Sequence, residues 1–236
     1  MQPFQFKQFT VAQDRAAMKI GTDGVLLGAW AQIDPEVNSI LDIGAGTGVI
    51  ALQMAQRSAA MTIDAIEIDA DAYEQCTENF EASPWADRLF CYHAGLLEFA
   101  QEIDDEYDLI ISNPPFYTAE FKSGDSQRDR ARFEDALPFE HLVVCASKLL
   151  AEDGSFAVVI PSEATDEFIE LAEQVGLFPY RRCEVKGRPE VAAKRSLLQF
   201  SKNEQELETQ TLIIEIERHQ YTPQYTELVQ DFYLKM

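Results

Sequence analysis

The sequence predicts an α/β fold, a mostly parallel sheet with helices on both faces. Three observations lead there. From residue 39 onward, short apolar runs alternate with longer segments of helical period. A glycine cluster separates the first of those runs from the first helix. No internal repeat, low-complexity tract or Pro/Gly/Ser-rich linker divides the chain, so one domain is expected over residues 1–236.

The elements follow in order. Phe4-Gln5-Phe6-Lys7-Gln8-Phe9 alternates at period two and predicts a small leading hairpin within a 1–30 entry segment. The core, 39–202, opens with a strand Ser39–Ile43 and a helix Val49–Arg57, then Thr62–Ile68 with Asp71–Glu81, and Leu89–His93 with Leu96–Gln101. Tyr107–Ser112 is the fourth strand and precedes a long polar loop. A helix from about Phe139 to Leu150, a strand Ser155–Ile160 and a helix from about Glu163 to Val175 come next. Tyr180–Val185 and Ser196–Phe200 have no helix-sized insert between them, which predicts an antiparallel pair at the sheet edge. In the closing part, 203–236, Thr211–Glu217 predicts one more strand and Thr222–Lys235 a final helix.

At 236 residues and 46% apolar content the chain can fill a core, and disorder of the whole is excluded. With 19 Lys and Arg against 41 Asp and Glu, the net charge is −22, which excludes a uniformly basic nucleic-acid binder. No apolar stretch approaches the roughly 18–20 residues that span a bilayer. The opening residues lack a basic start followed by an apolar run, so a soluble, unprocessed, cytoplasmic protein is expected. Cys76, Cys91, Cys145 and Cys183 form no C-x-x-C pair and sit among apolar neighbours, predicting reduced thiols and no metal. His93, His141 and His219 form no ligand-like pair.

The charge is uneven. Residues 7–19 and 122–132 each sum to +2 and residues 181–202 sum to +5, leaving −31 for the rest. These stretches hold 14 of the 19 basic residues. Two readings stand: one basic face on an acidic body, drawing a polyanion locally, or scattered solvated charges.

Asp42-Ile43-Gly44-Ala45-Gly46-Thr47-Gly48 joins the first strand to its helix. Such a turn lets a ligand approach bare backbone at a helix N-terminus, at the carboxyl edge of the sheet. The dinucleotide spacing G-x-G-x-x-G needs glycine or alanine at position 49, where Val49 stands, and no G-x-x-x-x-G-K-[ST] is present. NAD and ATP therefore give way to S-adenosylmethionine. Glu67, nineteen residues after Gly48, is placed to accept from both ribose hydroxyls. Asp69 reads as a helix N-cap instead. The plainer alternative for the glycines is an ordinary strand-to-helix turn.

The fourth strand ends in Asn113-Pro114-Pro115-Phe116-Tyr117. Two prolines stiffen the backbone and remove two donors, leaving acceptors that suit an amino group. An exocyclic amine donating to the Asn113 side-chain oxygen and the Pro114 carbonyl has its lone pair drawn out of ring conjugation, and Phe116 can stack on a flat substrate. That chemistry is an in-line methyl transfer governed by positioning and desolvation, with no metal and no covalent intermediate. The alternative is a turn that merely ends a strand.

Asp42 to Gly48, Glu67 and Asn113 to Phe116 together resemble the motifs of class I S-adenosylmethionine-dependent methyltransferases acting on planar amino groups. Within that superfamily, Lys19 to Trp30 and Asn113 to Tyr117 are similar to the branch that methylates N6 of adenosine 37, beside the anticodon of tRNA1(Val). The resemblance implies a Rossmann-like, seven-stranded sheet with an antiparallel edge. It also implies a Gly21–Gly24 segment, Thr22 included, lying over the methionine end of the cofactor. Asp42, Gly44, Gly46, Gly48 and Glu67 are then the cofactor residues, and Asn113, Pro114 and Phe116 the catalytic ones. One departure stands out: His93-Ala94-Gly95-Leu96 carries no acidic residue for the adenine amine, which leaves backbone groups near 94–96.

Under this reading Arg128, Arg130 and Arg132 grip phosphates flanking a splayed nucleotide, and Arg181, Arg182, Lys186, Arg188, Lys194 and Arg195 follow the backbone further. The expected partner is tRNA, at the anticodon loop of a valine tRNA, without an obligate protein partner. The residues alone leave guanine N2 in ribosomal RNA, a glutamine amide in a protein, and a non-catalytic RNA-docking module open.

Overall fold

The computed structural model describes residues 2–115 and 137–236. The chain opens with the antiparallel hairpin β1 (Phe4–Gln5) and β2 (Thr10–Val11), followed by α1 (Thr22–Trp30). Alternation then begins: β3 (Ser39–Ile43), α2 (Val49–Arg57), β4 (Thr62–Glu67), α3 (Ala70–Glu81), β5 (Leu89–His93), α4 (Leu96–Glu102) and β6 (Tyr107–Ser112). After the loop come α5 (Phe139–Leu149), β7 (Leu150–Pro161), a 3-10 turn Ser162–Ala164 and α6 (Thr165–Gln174). The chain closes with β8 (Phe178–Lys186), β9 (Arg195–Ser201), β10 (Glu208–Ile213), the hairpin β11 (Glu215–Glu217) and β12 (Gln220–Tyr221), and α7 (Pro223–Val229).

Among the described residues, eight strands form the central sheet in the order β10-β8-β9-β7-β6-β3-β4-β5. Only β9 runs against the rest, since β7–β9 and β8–β9 pair antiparallel and every other pair is parallel. Successive residues of a strand point to opposite faces, and both faces are covered. Ile40, Ile63, Leu109, Ile111 and Val159 join α1, α2 and α7 in one buried cluster. Leu41, Ile43, Ile66, Ile110 and Val158 join α4, α5 and α6 in the other.

Three expectations are corrected. The sheet has eight strands where the resemblance implied seven, because β10 pairs parallel with β8 outside the antiparallel pair. Most of β10 is exposed, as in Glu208-Thr209-Gln210-Thr211, so it lacked the apolar signature of a sheet strand. The expected strand Thr211–Glu217 is therefore split: its first half ends β10 and its second half folds back as the separate β11–β12 hairpin. The final helix is also shorter than expected. Thr222 caps it by accepting from the Tyr225 amide at 3.1 Å and Pro223 opens it, but it ends at Val229 and Tyr233 bridges antiparallel to Phe6.

Candidate active site

β3 lies between β4 and β6, so the chain leaves β3 for one side of the sheet and returns on the other. A crevice opens at the carboxyl end of such a pair. Ile43 is the register partner of Ser112, whose hydroxyl donates to the Ile43 carbonyl at 2.9 Å. The glycine loop after Ile43 and the Asn113-Pro114 corner after Ser112 thus leave the sheet side by side.

The loop is fixed by its backbone. Gly44, Gly46 and Gly48 have φ of 72°, 57° and 78°, the left-handed region that favours glycine. A Cβ on Gly44 or Gly46 would meet nothing within 4 Å, whereas one on Gly48 would lie 2.6 Å from Phe80 and 2.8 Å from the Cys76 sulfur. Gly44 and Gly46 therefore line open space, and Gly48 lets α2 close onto α3. Glu67, nearly buried, stands beside that space. One carboxylate oxygen accepts from the Gly46 amide at 2.7 Å and the other from the Asp69 amide at 2.9 Å. Each oxygen keeps a lone pair for a further donor. Asp69 caps α3 by accepting from the Ala72 amide at 2.8 Å.

Asp42 is fully buried beneath the loop, and its Oδ2 accepts from the Ala51 amide at 3.1 Å. Gly48, the N-cap of α2, has no side chain to satisfy that first turn, and Asp42 does so from the preceding strand. Its Oδ1 is buried without a partner. Burial, reinforced by the charge of Glu67 and opposed by the Ala51 amide, pushes its carboxyl up to about 7. Asp42 thus sits behind the loop, as a support for α2.

α1 closes the other side of the crevice. A Cβ on Gly24 would come 3.6 Å from Asn113 Nδ2, 3.7 Å from Val49 and 3.8 Å from Ile50. One turn on, Gly28 leaves room for Gln53, whose Nε2 donates to the Val25 carbonyl at 3.1 Å. The Gly24-x-x-x-Gly28 spacing, absent from the expected site features, is the sequence signal for this helix crossing. Thr22, exposed, is the first residue of α1, and Asp23 accepts from Arg195 at 2.7 Å.

The structure thus gathers Thr22, Gly44, Gly46, Glu67, Asn113 and the buried Pro114 at one rim. Phe116, Arg128, Arg130 and Arg132 lie outside the described residues. Lys186, Arg188, Lys194 and Arg195 stand at the same end of the sheet, because β8 runs parallel to β6 and ends at Lys186, while β9 starts at Arg195. Arg181 and Arg182 do not join them. Arg181 stacks 4.4 Å over the Trp30 ring and donates to Gln199 at 3.1 Å, while Arg182 donates to Glu184 at 2.9 Å. The His93 ring is engaged with the Ile68 carbonyl at 3.0 Å and stacks on Tyr73. Among the described residues, no His/Cys/Asp/Glu group could hold a metal ion. No described helix is long and apolar enough to cross a membrane.

The methyltransferase small domain family matches residues 24–178. A tRNA1(Val) (adenine(37)-N6)-methyltransferase of Flavobacterium johnsoniae is 60% identical over 99% of this chain and 100% of its own. The chain belongs to the methyltransferase small domain family. A relative of the same name from Bacteroides fragilis is 45% identical over 99% of this chain and 98% of its own. Among solved structures, a predicted O-methyltransferase of Agrobacterium tumefaciens superposes with a TM-score of 0.71 at 20% identity, covering 89% of this chain and 96% of that one. That likeness carries the methyltransferase fold: the family's sheet places the glycine loop and the Asn113 corner on adjacent strands here.

Proposed function

We propose that this chain transfers a methyl group from S-adenosylmethionine to N6 of adenosine 37 in tRNA1(Val). The observation that carries the reading is the adjacency of the glycine loop and the Asn113-Pro114 corner on neighbouring strands. The 60% identical Flavobacterium johnsoniae relative, named for that reaction, supports the choice of acceptor.

The residues present fit the cofactor. Open space at Gly44 and Gly46 is a cradle that side chains would fill. Glu67 has lone pairs left for two ribose hydroxyls, and its bonds to the Gly46 and Asp69 amides keep it from turning away. Thr22 and Gly24 cover the methionine end, where α1 approaches Asn113. Backbone groups near 94–96, beside His93, the register partner of Glu67, are left for adenine. When bound, S-adenosylmethionine supplies a methyl group activated by its sulfonium.

At the acceptor, the Asn113 side-chain oxygen and the Pro114 carbonyl take the two hydrogens of the adenine amine. This holds the nitrogen lone pair out of conjugation and points it across the crevice. Phe116 stacks on the base. Once the methyl is transferred the nitrogen is positively charged and strongly acidic, and it releases its proton to solvent, so no strong base is needed. Lys186, Arg188 and Lys194 at the rim, with Arg128, Arg130 and Arg132, contact the phosphates. A positive rim on an acidic body orients the RNA by repelling it elsewhere.

The test uses an unmodified tRNA1(Val) transcript, methyl-labelled S-adenosylmethionine and nucleoside analysis. Label in N6-methyladenosine, lost when adenosine 37 is replaced by guanosine, is expected. Label in N2-methylguanosine, or label released by protease alone, overturns the reading.

A further inference from the structure

One face of α3 is polar and half covered: Glu74 and Glu78 are exposed, Gln75 and Asn79 are not. Glu74, Gln75, Glu78 and Asn79 lie together at helical spacing, and Gln75 and Asn79 are 1% and 3% exposed. What covers them is the segment 12–20, which leads into α1. Asn79 Oδ1 accepts from the Ala12 amide at 2.8 Å, and its Nδ2 donates to the Ala12 carbonyl at 2.9 Å. The same Nδ2 donates to the Thr47 carbonyl, inside the glycine loop, at 2.9 Å. Gln75 Oε1 accepts from the Arg15 and Ala16 amides, each at 3.0 Å, and its Nε2 donates to Asp14 at 2.8 Å.

The segment is also closed on itself. The Ile20 amide donates to the Gln13 side chain at 3.0 Å, and Lys19 Nζ donates to the Gln13 and Ala16 carbonyls at 2.6 Å and 2.7 Å. Arg15 adds ion pairs with Glu74 and Glu78 on α3. The strap is thus one pinned loop, and its exit at Ile20 feeds Gly21, Thr22 and Gly24, the last beside Asn113.

We propose that Gln75 and Asn79 are positioning residues that lock the 12–20 strap and the Thr47 peptide into one register, and so set the cofactor site from behind. The inference rests on the functional reading above. A buried carboxamide is costly unless its donors and acceptor are used; Asn79 uses both on backbone groups, and Gln75 accepts from two backbone amides and donates to the Asp14 carboxylate. Asn79 reads the Ala12 peptide as a neighbouring strand would, and at the same time fixes the plane of the peptide between Gly46 and Gly48. A hydrophobic side chain of similar volume fills the space without coupling the two segments.

The test compares S-adenosylhomocysteine affinity by calorimetry, KM for cofactor and for tRNA, and thermal midpoint. Asn79→Ala leaves the part-buried amide and carbonyl of Ala12 and the buried Thr47 carbonyl without their Asn79 partner. It is expected to weaken S-adenosylhomocysteine by about tenfold or more, with the KM for tRNA unchanged. A second pair guards against simple unfolding. Gln75→Glu keeps the acceptor for Arg15 and Ala16 but sets a carboxylate against Asp14, so cofactor affinity falls. Adding Asp14→Asn returns a donor and restores it. Variants that lose only thermal stability, with cofactor affinity at the wild-type value, overturn the proposal, as does a Gln75→Glu defect that Asp14→Asn leaves uncorrected. Wild-type protein that binds S-adenosylhomocysteine yet methylates no tRNA sinks the functional reading, while the binding comparison still decides this one.

Discussion

The Arg195 side chain, at the head of β9, donates its Nε–H to an Asp23 carboxylate oxygen at 2.7 Å, joining residues 172 positions apart. Asp23 sits in the first turn of α1, next to Gly24, where a Cβ would come 3.6 Å from Asn113 Nδ2. The acidic residue at a helix N-terminus and its cation together hold the entry of α1 against the sheet rim. Arg195, expected from sequence to touch RNA, is thereby tied to the entry of α1.

Both side chains of that pair are about one-third exposed, so its worth is modest. Arg195→Gln and Asp23→Asn are each expected to lower kcat by about two- to fivefold. The KM for tRNA should stay near wild type, and the double variant should be no worse than either single one. Steady-state kinetics on the three variants checks this. A raised KM for tRNA in Arg195→Gln alone would return Arg195 to the RNA surface.

Gly24 and Gly28 occupy the same face of α1 and should respond oppositely to alanine. At Gly28 a Cβ would fall 2.2 Å from Gln53 Oε1, and Gln53 is fully buried. Overpacking of this kind costs about 1–3 kcal/mol, so Gly28→Ala should lower the denaturation midpoint. At Gly24 the nearest atom is 3.6 Å away, ordinary contact. Gly24→Ala should keep or slightly raise stability, since alanine favours a helix by up to about 1 kcal/mol. It should nevertheless slow turnover, because the atom it touches belongs to Asn113.

Asp42 supplies a pH signature. Its folded carboxyl is raised to about 7 by burial, against 3.8 for the ordinary group. The folded chain therefore keeps a proton that the unfolded chain releases, and stability falls as pH rises between those values, then levels above them. Asp42→Asn removes this contribution while leaving an acceptor for the Ala51 amide. The thermal midpoint of the variant relative to wild type should rise between pH 5 and pH 8. A difference independent of pH would contradict the assignment.

In the sequence, the parts of the candidate site that lie close along the chain were legible. Asp42 to Gly48 carries its own turn chemistry, Glu67 ends the next strand, Asp69 caps the next helix, and Asn113-Pro114 ends the fourth strand. The rest depends on distant contacts. Gln75 and Asn79 on an amphipathic helix look like a solvated face until the strap at 12–20 covers them. Arg181 resembled its basic neighbours, yet its guanidinium lies on Trp30, 151 residues away. β10 escaped as a sheet strand because an edge strand can be polar on both faces. The parallel order and the helices on both faces were legible because buried strands and amphipathic helices have different periods.

The rim cations give a salt-dependent prediction. Lys186, Arg188 and Lys194 cluster where β8 ends and β9 begins. If each neutralises one phosphate, replacing all three by glutamine should reduce the slope of log affinity against log salt by about 2. Filter binding of tRNA1(Val) across a salt series measures it. An unchanged slope would move the RNA path off this rim.

On the proposed function, the Asn113 side chain fixes the adenine amine in the crevice shared with the glycine loop. Single-turnover methylation of tRNA1(Val) by Asn113→Ala, with tRNA and cofactor saturating, tests it most directly. The rate should fall by about 10²–10³, as when one preorganised hydrogen-bonding group is removed from an active site, while S-adenosylhomocysteine binding stays at the wild-type value. A variant within about threefold of the wild-type rate would contradict the claim.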